Sequence, residues 1–555
     1  MDRKYIVRVF FALAAALLFW GLTQIESPQP PETEVVSQAK SKSNKGASEA
    51  AEASASSDEP NRQSLTDEVL RYAPPVAVGP LELPGEFILR FRTKAEYDAF
   101  LAEARRRGLI ILGENAALHT LRISGDPDTF GPWYEQLARD AESFVNVPVL
   151  VPPFGDDVAL PDFGDGGGGG AFGTGALAAI GVPTDNANWG AGVTIAVLDT
   201  ALGPHPSLEG TNILFLDPLP AGAAELNGSH GTSVASLIAG NGAFGITGVA
   251  PASTLLSLPV LDAEGNGNAF TLADAIVRAT DRGADVINLS LGAYTNSPVI
   301  QDAVIYAADR GVVLVASAGN DGSGALLYPA AYEQVISVAA ADSSEHAAFF
   351  SNFGVGLDLA APGVGVFAAG ADGDAALFSG SSAAAPYVSG AVAGLLSLDP
   401  TLTPTQVTDL LTTYTNDPGP PGVDLQTGSG FLNVGSVLER DTPDIFDAAV
   451  ADIFVDPSES TDTTAALTVT VQNRGTEPLE ELTLVTVVDG TEVPFRIELL
   501  EPGQTDFRII DIDRTRLTEG DGINVEAAAV PADRRDDRRA NNLRQTQLRL
   551  LEPGE

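Results

Sequence analysis

The chain reads as an α/β protein, a parallel sheet sandwiched by helices, with a smaller domain on either side of it in sequence. Three observations carry that reading. From Ala176 to about Arg440, short apolar runs alternate with segments of helical period, the pattern of strands buried on both faces. The stretch before it, about 85–151, runs β-α-β-β-α-β, the split βαβ plan. Beyond Asp441, short alternating runs are separated by turn signals, as in a small β-sandwich.

The elements follow in order. Arg3, Lys4 and Arg8 precede an apolar run from Val9 to Leu22, so segment 1–25 reads as a signal peptide or a signal anchor. Gly21-Leu22-Thr23 is a weak cleavage candidate, and adding Tyr5 to Val7 makes the run long enough to stay as a membrane anchor. No later segment reads as a span. Residues 26–84, rich in Ser, Ala, Glu, Lys and Pro, read as a disordered linker.

Order begins near Gly85. Phe87 to Phe91 alternates like a strand, and Thr93 with Glu96 makes a capping-box pattern opening a helix that buries Tyr97, Phe100, Leu101 and Ala104. Strands at Leu109–Leu112 and Ala117–Ile123, a helix at Asp128–Ala141 and a last strand at Phe144–Val151 complete a ferredoxin-like α+β domain, 85–152. A punctuated stretch, 153–176, contains Gly166 through Gly170 and reads as a flexible linker or an exposed processing loop.

In domain 177–440, strands are expected at Val193–Leu198, Thr254–Pro259, Val286–Leu289, Val312–Ala316 and Val335–Ala339. Helices are expected at His230–Ala239, Thr271–Arg282, Ser297–Asp309 and Ala383–Leu396. Domain 444–552 shows strands at Ala466–Val471, Leu482–Val488 and Ile523–Ala529.

Composition narrows the function classes. The net charge of −43, from 74 acidic against 31 basic residues, repels nucleic acid and anionic membrane surfaces, so no nucleic-acid partner is expected. Such a chain suits an acidic exported protein or one adapted to salt. Cysteine is absent, which excludes disulfides, thiolate catalysis and a lipidated cysteine. With four histidines and no cysteine, an ordinary zinc site is not expected.

The chemistry sits in three residues. A serine hydroxyl is a weak nucleophile that needs a base in hydrogen-bond reach and a group to orient that base. Asp199 ends the strand Val193–Leu198, at the strand end that faces the ligand crevice in open α/β sheets. His230 opens a helix, and Ser382, in Gly380-Ser381-Ser382-Ala383-Ala384-Ala385-Pro386, precedes the helix expected from Ala383. Three element ends can converge at one crevice. Aspartate, histidine, serine is also the chain order of one serine-hydrolase lineage. Asn320, at another strand end, and the Ser382 backbone N–H are the natural donors to an oxyanion.

On these motifs the chain resembles the subtilisin-like serine proteases (subtilases, peptidase S8) from about Ala176 to Arg440. The matching segments are Ala196-Val197-Leu198-Asp199-Thr200 with His205-Pro206, His230-Gly231-Thr232, Asn288-Leu289-Ser290-Leu291-Gly292, Ala318-Gly319-Asn320, and the Gly380–Pro386 run. Departures are Ala201 for a usual glycine, Ser233 for a usual second histidine, and Ser381 and Ala383 for the usual threonine and methionine beside the nucleophile. None removes a catalytic atom.

The resemblance implies a subtilisin-like fold and a serine endopeptidase with Asp199, His230 and Ser382 as its triad and Asn320 in the oxyanion hole. Peptide or protein substrates would add as an extra strand beside an edge, a role that falls to Ser290-Leu291-Gly292 and Gly265-Asn266-Gly267, with Ala318 and Gly319 also counted as substrate-binding. Leu327, before Tyr328-Pro329, stands where glycine usually leaves a deep S1 pocket; the expectation is a shallow pocket and small P1 residues, or, if the loop is shifted, a core leucine.

Domain 85–152 resembles the family's inhibitory propeptide, its last strand in the cleft, with self-cleavage in the Gly-rich stretch or at Ala176–Ala179. A permanently attached accessory domain is the other reading. The tail resembles CARDB-type immunoglobulin-like modules through Val469 to Gly475 and Ala540-Asn541-Asn542. Such modules bind or space, and an envelope or extracellular ligand is one reading of it. No cofactor is required for the chemistry. Structural calcium is compatible with the family, and the loop Asp262, Glu264, Asn266 is a weak candidate that also reads as a solvated loop. His205 reads as a turn residue, and His119 and His346 as structural or surface histidines. The whole is an exported zymogen of periplasm, envelope or medium. Its alternative is an envelope binding or adhesion protein carrying a non-catalytic scaffold.

Overall fold

The structure is a computed structural model describing residues 82–125, 130–139, 141–152, 170–216, 229–371, 373–456, 459–461, 463–518, 522–533 and 535–548. The signal or anchor, the linker up to residue 81 and the run 153–169 lie outside the described residues.

The N-terminal unit holds β1 (Glu86–Arg90), a helix Lys94–Arg107, β2 (Ile110–Asn115), β3 (Thr120–Ser124), a helix Pro132–Leu137 and β4 (Glu142–Val145). The sheet is antiparallel with order β2-β3-β1-β4. Thr93 and Glu96 form the capping box, and Gly108 closes the first helix in the left-handed conformation. Tyr97, Phe100, Leu101 and Ala104 pack on Leu89, Leu121 and Ile123. Because strand side chains alternate, Ile88 points the other way, into the core of the next unit beside Val147 and Val149. Strand β1 thus buries a residue on each face.

Two expectations fail here. The second helix is shorter than Asp128–Ala141: it starts at Pro132 behind Gly131, whose φ of 83° is not helical. The last strand is not continuous. After β4 the chain breaks at Asn146, whose amide binds Glu86 and Asn268, and resumes as β5 (Pro148–Leu150) in a different sheet.

The central sheet has seven parallel strands: β6 (Thr194–Asp199), β7 (Asn212–Phe215), β8 (Thr254–Pro259), β10 (Val286–Leu289), β11 (Val313–Ser317), β12 (Val335–Ala341) and β13 (Leu359–Pro362). Between β8 and β10 lies the short β9 (Asn266–Asn268). The order is β13-β12-β11-β10-β6-β8-β7. Ile195 and Val197 face the core formed with helices Ser229–Ala239 and Ser381–Leu398. Ala196 and Leu198 face that of helices Ala269–Asp281 and Pro298–Ala308. This double burial is why the strands lack a polar face. From β6 the chain moves to β7 and β8 on one side and then to β10 on the other, so Asp199 ends the strand at the switch point.

The five expected strands and four expected helices are present within one to two residues, except that the last helix begins at Ser381 rather than Ala383, placing Ser382 in its first turn. By length and mean hydropathy (1.2) this helix would pass as a membrane span; 83% of it is buried, and it is the central core helix. A hairpin, β14 (Val366–Ala369) and β15 (Ala375–Phe378), covers one end.

The C-terminal unit pairs two antiparallel sheets. One holds β16 (Ala448–Asp456), β17 (Thr464–Asn473) and β20 (Thr505–Asp513). The other holds β18 (Leu479–Val488), β19 (Thr491–Leu500), β21 (Ile523–Pro531) and β22 (Leu543–Leu548). Leu467, Val469, Leu482, Leu484 and Val525 fill the space between them. The sequence marked only β17, β18 and β21. β19 keeps the alternation, with Val493, Phe495 and Ile497 inward of exposed Glu492, Pro494, Arg496 and Glu498; the sequence reading did not mark it. This unit docks on the central one through Gln472, whose side chain holds the Asp417 N–H and the Thr415 carbonyl, and through Arg474 to Glu345.

Candidate active site

Asp199 ends β6 fully buried and accepts the Thr200 N–H at 2.6 Å. His230 begins the next helix, and its Nδ1 donates to Asp199, 2.8 Å from Oδ1 and 3.0 Å from Oδ2. The ring rests edge-on against Phe378. Its Nε2 is buried and has no hydrogen-bond partner. An imidazole held this way keeps its proton on Nδ1 and offers Nε2 as a base.

Ser382 is 2% exposed, and its hydroxyl donates to the Ser290 carbonyl at 3.2 Å, leaving Nε2 of His230 free. Local sequence explains its placement. Gly380, at φ 129°, turns the chain into the helix beside Asn320, where an added Cβ would come 3.0 Å from Asn320 Nδ2. Pro386 lacks the N–H that would reach back four residues to the Ser382 carbonyl. The Ser290 hydroxyl supplies that bond at 3.0 Å. The strand after β10 and the serine helix are therefore tied together by a defect in the helix ladder.

Asn320 follows β11. Its Oδ1 accepts both the Ser381 N–H and the Ser381 hydroxyl, each at 2.8 Å. With the carbonyl side pinned, Nδ2 must face the crevice. In the sequence Ser381 stood out only as a replacement for a usual threonine beside the nucleophile; its bond to Asn320 is a contact between distant segments.

The crevice is filled by this chain's own β5. It pairs antiparallel with β9, Pro148 opposite Asn268, Val149 opposite Gly267 and Leu150 opposite Asn266. Leu150 exchanges two backbone hydrogen bonds with Gly292, at 2.9 and 2.8 Å, and the Val151 N–H reaches the Gly265 carbonyl at 2.9 Å. The Pro152 carbonyl accepts from Asn320 Nδ2 at 3.3 Å. So Gly265-Asn266-Gly267 and the segment ending in Gly292 flank one extended strand. Leu291 and Ala318 are wholly buried in the walls.

Leu327 is 3% exposed. A Cβ added at Gly292 would lie 2.7 Å from the Leu327 Cβ, and one added at Gly319 would lie 3.0 Å from its Cγ. The leucine therefore sits between the two glycines, whose missing side chains make its room.

The remaining candidates are structural. His205 is buried between Ser207 and the Asp374 carbonyl. His119 packs on Tyr97 in a turn with positive φ. His346 meets Asp452 of the C-terminal unit at 2.9 Å, a joint the sequence did not mark. Ser233 donates to the Ala369 carbonyl at 2.7 Å, anchoring the β14–β15 hairpin. Asp262 Oδ1 accepts the N–H groups of Glu264 and Asn266 and so holds the turn before β9. Among the described residues, no group of three His, Asp or Glu is placed to hold a metal.

A model of the "Subtilase family" matches residues 190–430. The chain is 37% identical over 245 residues to Subtilisin Savinase of Lederbergia lenta, covering 44% of this chain and 90% of that protein. It is 37% identical over 245 residues to an alkaline protease of Shouchella clausii, covering 44% of this chain and 63% of that protein. Against a thermophilic serine proteinase of Bacillus sp. (strain AK1) it is 43% identical over 211 residues, 37% of this chain and 52% of that one.

Proposed function

We propose, from the premise that this chain belongs to the subtilase family of serine endopeptidases, that it hydrolyses peptide bonds through Ser382, His230 and Asp199. Ser382 Oγ attacks the carbonyl carbon while His230 Nε2 takes its proton. Asp199 keeps the ring oriented and stabilises the imidazolium. Asn320 Nδ2 and the Ser382 N–H hold the oxyanion. The C–N bond then breaks, His230 returns the proton to the leaving amine, and water releases the acyl group by the reverse path.

The observation that carries this reading is β5 itself. An extended segment lies antiparallel between two edges and brings one carbonyl to Asn320, as a substrate would. Leu327, wedged between Gly292 and Gly319, supports a shallow S1 pocket that takes small P1 residues. The same strand supports the N-terminal unit as an inhibitory, propeptide-like domain, so that the chain is made as a zymogen. The basic-then-apolar segment 1–25 supports export. Ser382→Ala tests the chemistry: once limited proteolysis has removed the N-terminal unit, wild type should hydrolyse casein and the variant should not, while the far- and near-UV circular dichroism of the two stays the same. Hydrolysis that survives the substitution refutes the assignment.

A further inference from the structure

The strand in the crevice carries a sequence that its own active site is badly suited to cut. By register, Leu150 occupies the position that exchanges two hydrogen bonds with Gly292, and Pro152 brings its carbonyl to Asn320. The bond presented for attack is thus the one after Pro152, and the next residue is Pro153. Both flanking residues are proline, and each removes something the reaction uses. Pro152 has no N–H to donate to the neighbouring Ser290 carbonyl. That carbonyl instead accepts the Ser382 hydroxyl at 3.2 Å, which turns the nucleophile's proton away from His230 Nε2. Pro153 makes the bond a tertiary amide. In any bond to proline the nitrogen carries a ring carbon in place of a hydrogen, which hinders proton transfer to the leaving nitrogen.

The unit behind this strand is firmly seated. Arg90 reaches Asp302 at 2.6 Å, Asn115 reaches Asp274 at 3.1 Å, and Asn146 links β4 to Asn268 and to the Phe270 N–H. Ile88, Val147 and Val149 are buried in the central unit's core. A ligand held by so many contacts beyond the reacting bond is placed by them, not by the chemistry at that bond.

We infer that Pro148–Pro152, with the Pro152–Pro153 bond at the nucleophile, is a cleavage-resistant intramolecular inhibitor: the enzyme stays latent with this bond intact, and activation must break another bond or be done by another molecule. This rests on the proposed protease chemistry. It replaces the usual sense of an inhibitory segment that is cut where it docks with one whose docked bond survives.

The test uses full-length protein, wild type beside Pro152→Ala/Pro153→Ala, with Pro153→Ala as the milder change. Intact mass and N-terminal sequencing report cleavage. Labelling by a fluorophosphonate and hydrolysis of an added alanine-P1 peptide report whether the site works. The expected result is that wild type shows no terminus at residue 153. The double variant should produce that terminus at a rate independent of protein concentration, at least 100-fold faster, and adding Ser382→Ala should abolish it. Wild type cut after Pro152 as fast as the variant overturns the inference. So does a double variant that takes the label and cuts the added peptide yet stays intact at 152–153. If no form takes the label or cuts the peptide, even after limited proteolysis removes the N-terminal unit, the protease reading fails and this inference falls with it.

Discussion

Ser381 and Ser382 stand side by side in the first turn of one helix, and their hydroxyls meet different partners. Ser382 faces the crevice; Ser381 bonds the Asn320 amide. On the proposed chemistry, Ser381 is a positioning residue for the oxyanion donor. Ser381→Ala should lower kcat about 5- to 10-fold, the weight of one hydrogen bond of roughly 1 kcal/mol, with KM unchanged. Ser381→Thr should restore the rate, and an equal loss in both variants would contradict the role. Removing the donor itself, Asn320→Ala, should cost about 10²- to 10³-fold in kcat, a magnitude known from subtilisin and borrowed here from that relative. Stopped-flow or steady-state kinetics on one peptide separates the two effects. A rate unchanged in Asn320→Ala would move the oxyanion hole elsewhere.

At the scale of elements, Leu327 packs against Gly292 and Gly319, and the proposed S1 pocket turns on that contact. Leu327→Gly should reopen the space between Gly292 and Gly319. A full side-chain burial contributes about 1.5–3 kcal/mol, so the preference for phenylalanine over alanine at P1 should rise about 10- to 100-fold in kcat/KM. The emptied site should also lower stability by about 2–5 kcal/mol when no substrate fills it. Peptide-library profiling reads the first effect and thermal melting the second. An unchanged P1 ratio would place Leu327 outside the pocket. The strand that docks in the crevice belongs to the same scale: β4 and β5 divide what the sequence reads as one strand, split at Asn146, which satisfies groups on both units.

Across the whole molecule, the C-terminal unit is joined to the catalytic one by buried acids whose protonation sets the strength of the joint. Burial pushes the Asp417 carboxyl up to about 7, against bonds from the Gly422 N–H and the Thr505 hydroxyl that favour the charged form. Its other oxygen is buried without a partner. An acid raised on folding binds a proton more tightly folded than unfolded, so its effect is to lower stability as pH rises from about 4 to 7. Asp417→Asn should therefore raise Tm at pH 8 and lose that advantage as pH falls toward 4; a gain independent of pH would contradict the account.

The His346–Asp452 pair acts with it. Burial would lower the histidine, but the hydrogen bond and charge of Asp452 raise it overall. Burial would raise Asp452, but His346 and Arg544 hold it below its ordinary value. The histidine's share is full below its ordinary pKa and fades as pH climbs past the raised one; that of Asp452 is lost only in acid. With 42% of its side chain exposed, His346 is partly screened and contributes the smaller part. Melting curves of His346→Ala should converge on those of wild type at alkaline pH and fall below them near pH 6.

What the sequence determined by itself was the central sheet and the identities of the groups at its crevice. Parallel strands buried on both faces must be continuous apolar runs, and side chains that meet in one crevice must sit at element ends, so Asp199, His230, Asn320 and Ser382 were legible as a pattern. Only the tertiary structure decided what depends on contacts between distant segments. It assigned Ser381 to Asn320 and Ser290 to the carbonyl orphaned by Pro386. It placed Leu327 between two glycines, turned β5 out of one sheet into another, and brought Pro152 to Asn320. It also added β16, β19, β20 and β22 to the sandwich, four strands that the sequence reading did not mark. Hydrophobic period is a local property of the chain; register, wedge and joint are set by pairs of residues up to hundreds apart, and nothing in either partner alone announces the other.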